Sequence, residues 1–258
     1  MSIPLLTRQQ LELLNRRTLR YPLAVAEKDY FLALALQVLY DSPLKDKLVF
    51  KGGTAVHHCY LPQLRFSEDL DFTARTSEIT ADEVSAVLVA SQLFTIKSLY
   101  TSPATIKIER LRYAGILGQP GSIKVEIDHK QNVVLPPQPI VYRNVWNVPV
   151  TPQVMDQREV CAEKIRAASQ RARYRDFYDL YLLLTSLAPS LEEVMDLLRQ
   201  KEIRQPIRKA LMLDNWRIAS KQQVTDRQNI YYAQAVSPEQ IEAVLAQLTF
   251  ADIEGTAT

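Results

Sequence analysis

The chain has few cysteines, no long apolar run and neither of the common glycine-rich nucleotide loops. Its 258 residues contain two cysteines, Cys59 and Cys161, and no Cys-x-x-Cys pair, so we expect reduced thiols rather than a disulfide framework. No apolar run approaches the roughly 20 residues that cross a bilayer. The N-terminal segment lacks the apolar region of a signal peptide. The chain also has no internal repeat and no low-complexity tract. Because it lacks a disulfide framework, a membrane-spanning run and a signal peptide, we predict a cytoplasmic protein with no membrane partner.

What the sequence does contain is an ordinary globular composition with unevenly placed charge. Hydrophobic residues make up 47% of the chain and charged residues 23%, with a net charge of +2, so a sizeable core is expected. Acidic residues gather at 68–71, whereas the segment EKIRAASQRARYR at 163–175 is strongly basic. The basic segment suits a phosphate-bearing partner, although a solvated helix face would have the same composition.

The order of predicted elements divides the chain near residue 150. The first part mixes helices at 7–20 and 24–40 with short strands at 48–51 and 69–75, a helix after Thr80, and three alternating runs, FTIKSLY, TIKIERLRY and SIKVEIDHK. Such runs, bounded by turn residues, predict consecutive antiparallel strands. We therefore predict an α/β (α+β) domain with a mixed sheet over 1–150, and a helical domain over 151–258.

Helix-start signals dominate the second part. Thr151-Pro152 has the form of an N-cap followed by a proline in the first turn. Ser190 with Glu193 forms a capping-box pattern, and Ser237-Pro238 combines both signals. A proline-rich stretch at 133–150 precedes them, which places the change from sheet to helices at this point.

Two adjacent glycines follow the first predicted strand. In Gly52-Gly53-Thr54 a strand runs directly into a helix, which presents backbone N–H groups to a phosphate. The pair matches neither GxxxxGK[ST] nor GxGxxG. A tight turn without any ligand remains the alternative for this segment.

Carboxylates in two later strands are candidates for a metal site. Asp69 and Asp71 are two residues apart on a strand and so project to the same side. Two such carboxylates repel each other unless a cation lies between them, and Mg²⁺ takes carboxylate and phosphate oxygens. A solvent-facing acidic strand is the alternative. A third acid would come from Glu126 or Asp128, which share a strand face with Lys124.

Taken together, these segments resemble the polymerase-β-type nucleotidyltransferase superfamily, and more narrowly the AbiEii toxin-like and MenT-like nucleotidyltransferases. The similar segments occur in the family's order over more than half of the chain: AEKDY (26–30), FKGGTAV (50–56), RFSEDLDF (65–72), KVEID (124–128), EKIRA (163–167) and RDFYDLY (175–181). As a set they are specific, whereas any one alone is not.

The resemblance implies a fold, an activity and partners. The fold would be a nucleotidyltransferase core with a mixed sheet, followed by a helical bundle that completes the active-site cleft. The activity would be Mg²⁺-dependent transfer of NMP from an NTP to RNA, at the tRNA 3′ end, with release of pyrophosphate; Mn²⁺ is the alternative ion. The protein would be the toxin of a toxin–antitoxin system with a cognate antitoxin. Transfer of NMP to a protein, or RNA binding without catalysis, are the alternatives.

The resemblance also implies roles for individual residues. The metal would be held by Asp69, Asp71 and Glu126, the last favoured over Asp128. The predicted catalytic residues are Asp69, Asp71, Glu126, Lys164 and Asp176, with Asp179 as the alternative to Asp176. The predicted nucleotide-binding residues are Gly52, Gly53, Thr54, Arg65, Ser67, Lys164, Arg171 and Arg175.

Several of these residues also have a simpler interpretation. Lys164, Arg171 and Arg175 would share one helix face if the helix is continuous, but they could equally belong to a salt-bridged surface. Arg175 is also spaced to pair with Asp179. The adjacent His57 and His58 have no metal-ligand spacing and are expected to be structural.

Overall fold

The computed structural model describes residues 3–75 and 78–255, without the side chains of 227–229. It divides into two compact units. The sheet unit comprises Met1–Pro62, Phe66–Gln131 and Pro137–Val154, and the helical unit comprises Gln63–Arg65, Asn132–Pro136 and Met155–Thr258. No helix among the described residues is long and apolar enough to span a membrane.

Among the described residues, the sheet unit has seven strands. Their mixed direction agrees with the prediction from the sequence, which did not include β6 and β7. Their order is β3-β4-β5-β2-β1-β7-β6. The three alternating runs form the antiparallel β3, β4 and β5, while β2 pairs with β5 in parallel and with β1 antiparallel. The strands are β1 Leu48–Lys51, β2 Asp69–Ala74, β3 Phe94–Ser102, β4 Thr105–Ala114, β5 Pro120–Asp128, β6 Gln138–Pro139 and β7 Gln153–Val154.

Helices pack against this sheet and bury its apolar residues. The helices of the unit are α1 Arg8–Arg17, α2 Leu23–Tyr40, α3 Gly52–Ala55, which continues as a π-helical turn Val56–Tyr60, and α4 Ala81–Ala90. Along α2, apolar side chains are buried on almost every side, and Phe31 stacks on Tyr113 of β4 with ring centroids 3.8 Å apart. The hydrophobic side of the sheet is therefore covered by α2.

The helical unit begins later than the sequence signals suggest. The prediction of a helix start at Thr151-Pro152 is wrong, because the next residues pair as β7 and the first helix is capped by the Asp156 carboxylate. The Ser190 and Ser237 caps are confirmed. Its helices are α5 Gln157–Gln170, α6 Tyr174–Leu182, α7 Leu191–Arg199, α8 Lys209–Lys221, α9 Gln223–Ile230 and α10 Pro238–Gln247.

The basic segment at 163–175 is not one continuous helix. α5 ends at Gln170, Arg171 is extended, and α6 begins at Tyr174. Lys164, Arg171 and Arg175 therefore do not share the face of a single helix. The break instead turns Arg171 back toward the first turn of α6, where its guanidinium reaches Asp176.

Candidate active site

Strand register places three predicted carboxylates on one side of the sheet unit. In the parallel pairing of β2 with β5, Asp71 lies opposite Glu126 and Asp69 lies opposite Lys124. Leu70 and Phe72, which alternate with the two aspartates, are fully buried. Because side chains alternate along a strand, the acidic residues face away from that apolar core. We call this exposed side the open face.

The carboxylate of Asp71 is electrostatically strained in this row. Burial, together with the charges of Asp69 and Glu126, raises the pKa of Asp71 to about 6, although Lys51 and Lys124 lower it. A raised pKa means that the ionised form is disfavoured by its surroundings. A cation bound beside Asp71 would remove that cost, so the charge distribution fits a metal-binding role.

The donor chemistry also fits a hard divalent ion, although the side chains do not form a closed cage. Within residues 3–75 and 78–255, no group of three or more His, Cys, Asp or Glu side chains is arranged to hold a metal. The Glu126 carboxylate lies 2.9 Å from the Lys124 ammonium and so already has a cationic partner. Asp69 and Asp71 therefore fit an Mg²⁺ that draws its other ligands from water and substrate phosphates.

The two candidates for the third acid have different surroundings. Asp128 accepts hydrogen bonds from the backbone N–H groups of Lys130 and Gln131, at 2.8 and 3.0 Å, and so caps the turn after β5. Glu126 lies directly opposite Asp71 and adds to its negative surroundings. This geometry favours Glu126 as the acid that acts together with Asp69 and Asp71.

The Gly52-Gly53-Thr54 turn packs against the start of β2. Gly52 has a φ of +78°, and a Cβ atom there would lie 2.9 Å from the Cβ of Asp71, so the position requires glycine. The buried Thr54 hydroxyl donates to the backbone carbonyl of Asp69 at 2.5 Å. The turn therefore holds the acidic strand in position, and Ser67 lies half-buried in the segment leading into that strand.

Lys51 is a residue of this site that the sequence analysis missed. It ends β1 directly opposite Asp71, is only 8% exposed, and lies 3.9 Å from a carboxylate oxygen of Asp128. Its charge lowers the pKa of Asp71. A lysine closing an otherwise apolar strand just before two glycines was the available signal.

The remaining predicted site residues lie in the helical unit, in a buried ion-pair network. Arg65 forms two 2.7 Å hydrogen bonds to Asp179. The Lys164 ammonium lies 3.0 Å from Asp176 and 2.7 Å from Asp179, and Arg171 lies 2.7 Å from Asp176. Burial alone would raise the pKa of Asp176, but Lys164 and Arg171 lower it to about 2. Asp176 therefore stays ionised at neutral pH.

This network gives the helical-unit residues a structural role. Asp179 is fully buried and Asp176 is 1% exposed, so each carboxylate depends on its cations for charge compensation. The Arg65 guanidinium binds Asp179 in the fork geometry that suits carboxylates. Arg175 lies half-buried in the first turn of α6.

The AEKDY segment and the histidines are explained by packing. On α2, Lys28 pairs with Glu68 at 2.9 Å, and Asp29 accepts from the Trp146 ring N–H at 2.8 Å. His58 is fully buried and stacks on Tyr142. These contacts attach α2 and the turn after α3 to the loops around the sheet, in agreement with a structural role for the histidines.

The fold of this chain is shared with solved structures of nucleotidyltransferases. The chain is 25% identical to MenT4, a nucleotidyltransferase toxin from Mycobacterium tuberculosis H37Rv, over 73% of this chain and 68% of that one, with a TM-score of 0.58. A nucleotidyltransferase fold from H. pylori matches 88% of this chain and 94% of its own, at 17% identity and a TM-score of 0.53. The class is therefore that of the nucleotidyltransferases.

The family can be stated more narrowly. The nucleotidyl transferase AbiEii toxin family, of type IV toxin–antitoxin systems, matches residues 34–247. This match spans most of the sequence, so the chain belongs to that family and is a nucleotidyltransferase toxin. Membership implies a nucleotide substrate and an antitoxin partner. A search among curated proteins gives no significant match.

Proposed function

We propose that this toxin transfers a nucleoside monophosphate from an NTP to the 3′ hydroxyl of an RNA, with tRNA as the acceptor and Mg²⁺ as the cofactor. The observation that carries the proposal is the row of Asp69, Asp71 and Glu126, with its raised Asp71 pKa. A site that concentrates negative charge beside a glycine turn suits a metal-bound triphosphate. The cytoplasm, where NTPs and tRNA occur together, is the expected compartment.

The site residues of the sheet unit each have a defined part in the proposed reaction. Asp69 and Asp71 would hold Mg²⁺, which when bound neutralises charge on the transferring phosphoryl group. Glu126 accepts the proton of the attacking hydroxyl, whose oxygen forms the new bond to the α-phosphorus. The bond from that phosphorus to the bridging oxygen breaks, and pyrophosphate leaves. The backbone at Gly53 and Thr54 contacts the triphosphate.

The nucleotide-binding roles of the helical-unit residues are proposed on the family resemblance. Lys164 and Arg171 would contact phosphates of the nucleotide, with Arg65, Ser67 and Arg175 as further contacts. Asp176, as the acid of the last matching segment, would orient Lys164, in keeping with their 3.0 Å ion pair.

The test is a transfer assay with radiolabelled NTPs, total tRNA and Mg²⁺. The Asp69→Asn variant is expected to lose activity by more than about 100-fold, because it removes a charge that the transition state requires. Asp41→Asn is the matched control, since it makes the same change at an exposed carboxylate after α2. Label in protein instead of RNA would replace the proposed acceptor, and absence of any Mg²⁺-dependent transfer would refute the proposed function.

A further inference from the structure

The open face of the sheet unit continues from the acidic row onto the β5-β4-β3 extension. On β5, Ile123, Val125 and Ile127 are buried, so the intervening Ser122, Lys124 and Glu126 lie on the open face. In the antiparallel pairing with β4, Lys107 lies opposite Glu126 and Arg112 lies opposite Ser122. The acidic row and these cations therefore occupy one continuous surface.

A groove on this extension is lined by cations. It has a volume of about 760 Å³ and is lined by Lys97, Ser98, Arg110, Arg112, Pro120, Gly121 and Ser122. A register shift in β4 between Ile108 and Leu111 leaves both Glu109 and Arg110 exposed. Irregularities of this kind redirect side chains, and here one keeps Arg110 beside the groove.

The groove cations lack the partners that neighbouring cations have. Lys107 pairs with Glu109 at 2.7 Å, and Lys124 pairs with Glu126. By contrast, the side chains of Lys97, Arg110 and Arg112 form no hydrogen bond or ion pair with the residues described in 3–75 and 78–255. Three neighbouring positive charges without counter-charges attract a polyanion.

An exposed aromatic ring lies in the same cross-strand row as Glu126 and Asp71, on the edge strand β3. Tyr100 of β3 is 56% exposed and lies opposite Lys107 of β4. Exposed aromatic rings beside basic grooves are stacking positions for the bases of single-stranded nucleic acid. An acidic protein segment would use the cations but would have no need of the ring.

We propose that the groove of Lys97, Arg110 and Arg112 binds the phosphate backbone of the RNA acceptor, and that Tyr100 stacks on a base of its unpaired 3′ end. The 3′ end is thereby led along the open face toward Asp69 and Asp71. This inference rests on the proposed RNA acceptor and adds the surface that recognises it. Because the contacts are to phosphates, recognition is by charge and shape more than by sequence.

The test uses the full chain with Lys97, Arg110 and Arg112 all changed to Gln. All three side chains are on the surface, so the fold should be retained. A matched control changes Arg16, Arg17 and Lys45 to Gln, which removes the same charge from exposed positions on α1 and the turn at Pro43–Asp46. Binding of a fluorescent RNA stem with a single-stranded 3′ end is measured by anisotropy as a function of salt, and transfer is measured in parallel.

Loss of three phosphate contacts should reduce the slope of log affinity against log salt by about 2. The ratio of variant to control Kd should consequently fall by about 20-fold between about 50 and about 200 mM salt. In the transfer assay the KM for RNA rises while the KM for NTP stays unchanged. Tyr100→Ala should weaken binding without changing the salt slope.

Unchanged RNA affinity and salt slope in the triple variant would overturn this inference, even if RNA is the acceptor. Loss of binding to an acidic protein partner alone would also overturn it and assign the groove to that partner. Conversely, wild-type protein that binds RNA through the groove but transfers no nucleotide to it would overturn the proposed function and leave the groove assignment standing.

Discussion

The Asp71→Asn substitution should abolish transfer and yet stabilise the protein without metal at neutral and alkaline pH. The carboxyl of Asp71 has its pKa raised from 3.8 to about 6 in the fold. As pH rises, the unfolded chain loses this proton first, so the folded state binds more protons and its stability falls between about pH 4 and pH 6. Asparagine has a similar shape, carries no charge and avoids this loss.

The magnitude follows from the two pKa values. Ionisation of Asp71 costs the folded state about 2 kcal/mol at about pH 5 and about 3 kcal/mol at about pH 8. The side chain is partly exposed, so solvent screening makes these values upper bounds. The stability advantage of Asp71→Asn over wild type should therefore grow by up to about 1 kcal/mol between those pH values.

The assay is urea unfolding followed by the fluorescence of Trp146. This tryptophan is buried in the sheet unit, and the second tryptophan, Trp216, is replaced by Phe so that only one unit is reported. Asp41→Asn in the same background serves as the control for loss of a surface charge. An Asp71→Asn protein that is less stable than wild type at about pH 8, or whose advantage does not grow with pH, would refute the reasoning. Millimolar Mg²⁺ should stabilise wild type and leave Asp71→Asn unaffected.

Four further substitutions test other parts of the structure. Glu126→Gln should reduce transfer by more than about 100-fold whereas Asp128→Asn keeps most activity; equal losses in the same assay would argue against the assignment of Glu126. Gly52→Ala should lower stability by about 1–3 kcal/mol, because alanine is strained at positive φ and its Cβ meets Asp71; unchanged urea unfolding would contradict this. Asp179→Asn should destabilise the helical unit by about 3–5 kcal/mol, because two buried cations lose their counter-charge, as measured by Trp216 fluorescence in a Trp146→Phe background.

The strain at Asp71 suggests why the site is built from opposing charges. Lys51 and Lys124 reduce the repulsion within the acidic row without cancelling it. If lysines neutralised the acidic row completely, the site would have little affinity for a metal-bound triphosphate. If the site had no lysines, the repulsion among the carboxylates would destabilise the fold further. Perturbed pKa values of this kind concentrate at functional sites, and the stability lost here is consistent with a catalytic role.

Much of the site could be predicted from local sequence, because its parts are local. Strand alternation places Asp69 and Asp71 on one side whatever their partners are, and a strand followed by two glycines and a helix defines the turn at Gly52. The matching segments, spread over more than half of the chain, indicated the family, which the match over residues 34–247 confirms. These features depend on backbone periodicity and residue type, which are both visible along the chain.

Other features depended on pairings between distant residues, which periodicity does not encode. Only the register of β2 with β1 and β5 places Lys51 and Glu126 on either side of Asp71, and only the turn after β5 engages Asp128 as a cap. Similarly, the break after α5 turned an expected helical stripe into a buried ion-pair network around Asp176. Strand register and buried charge compensation arise from contacts across the fold, so only the tertiary structure could decide them.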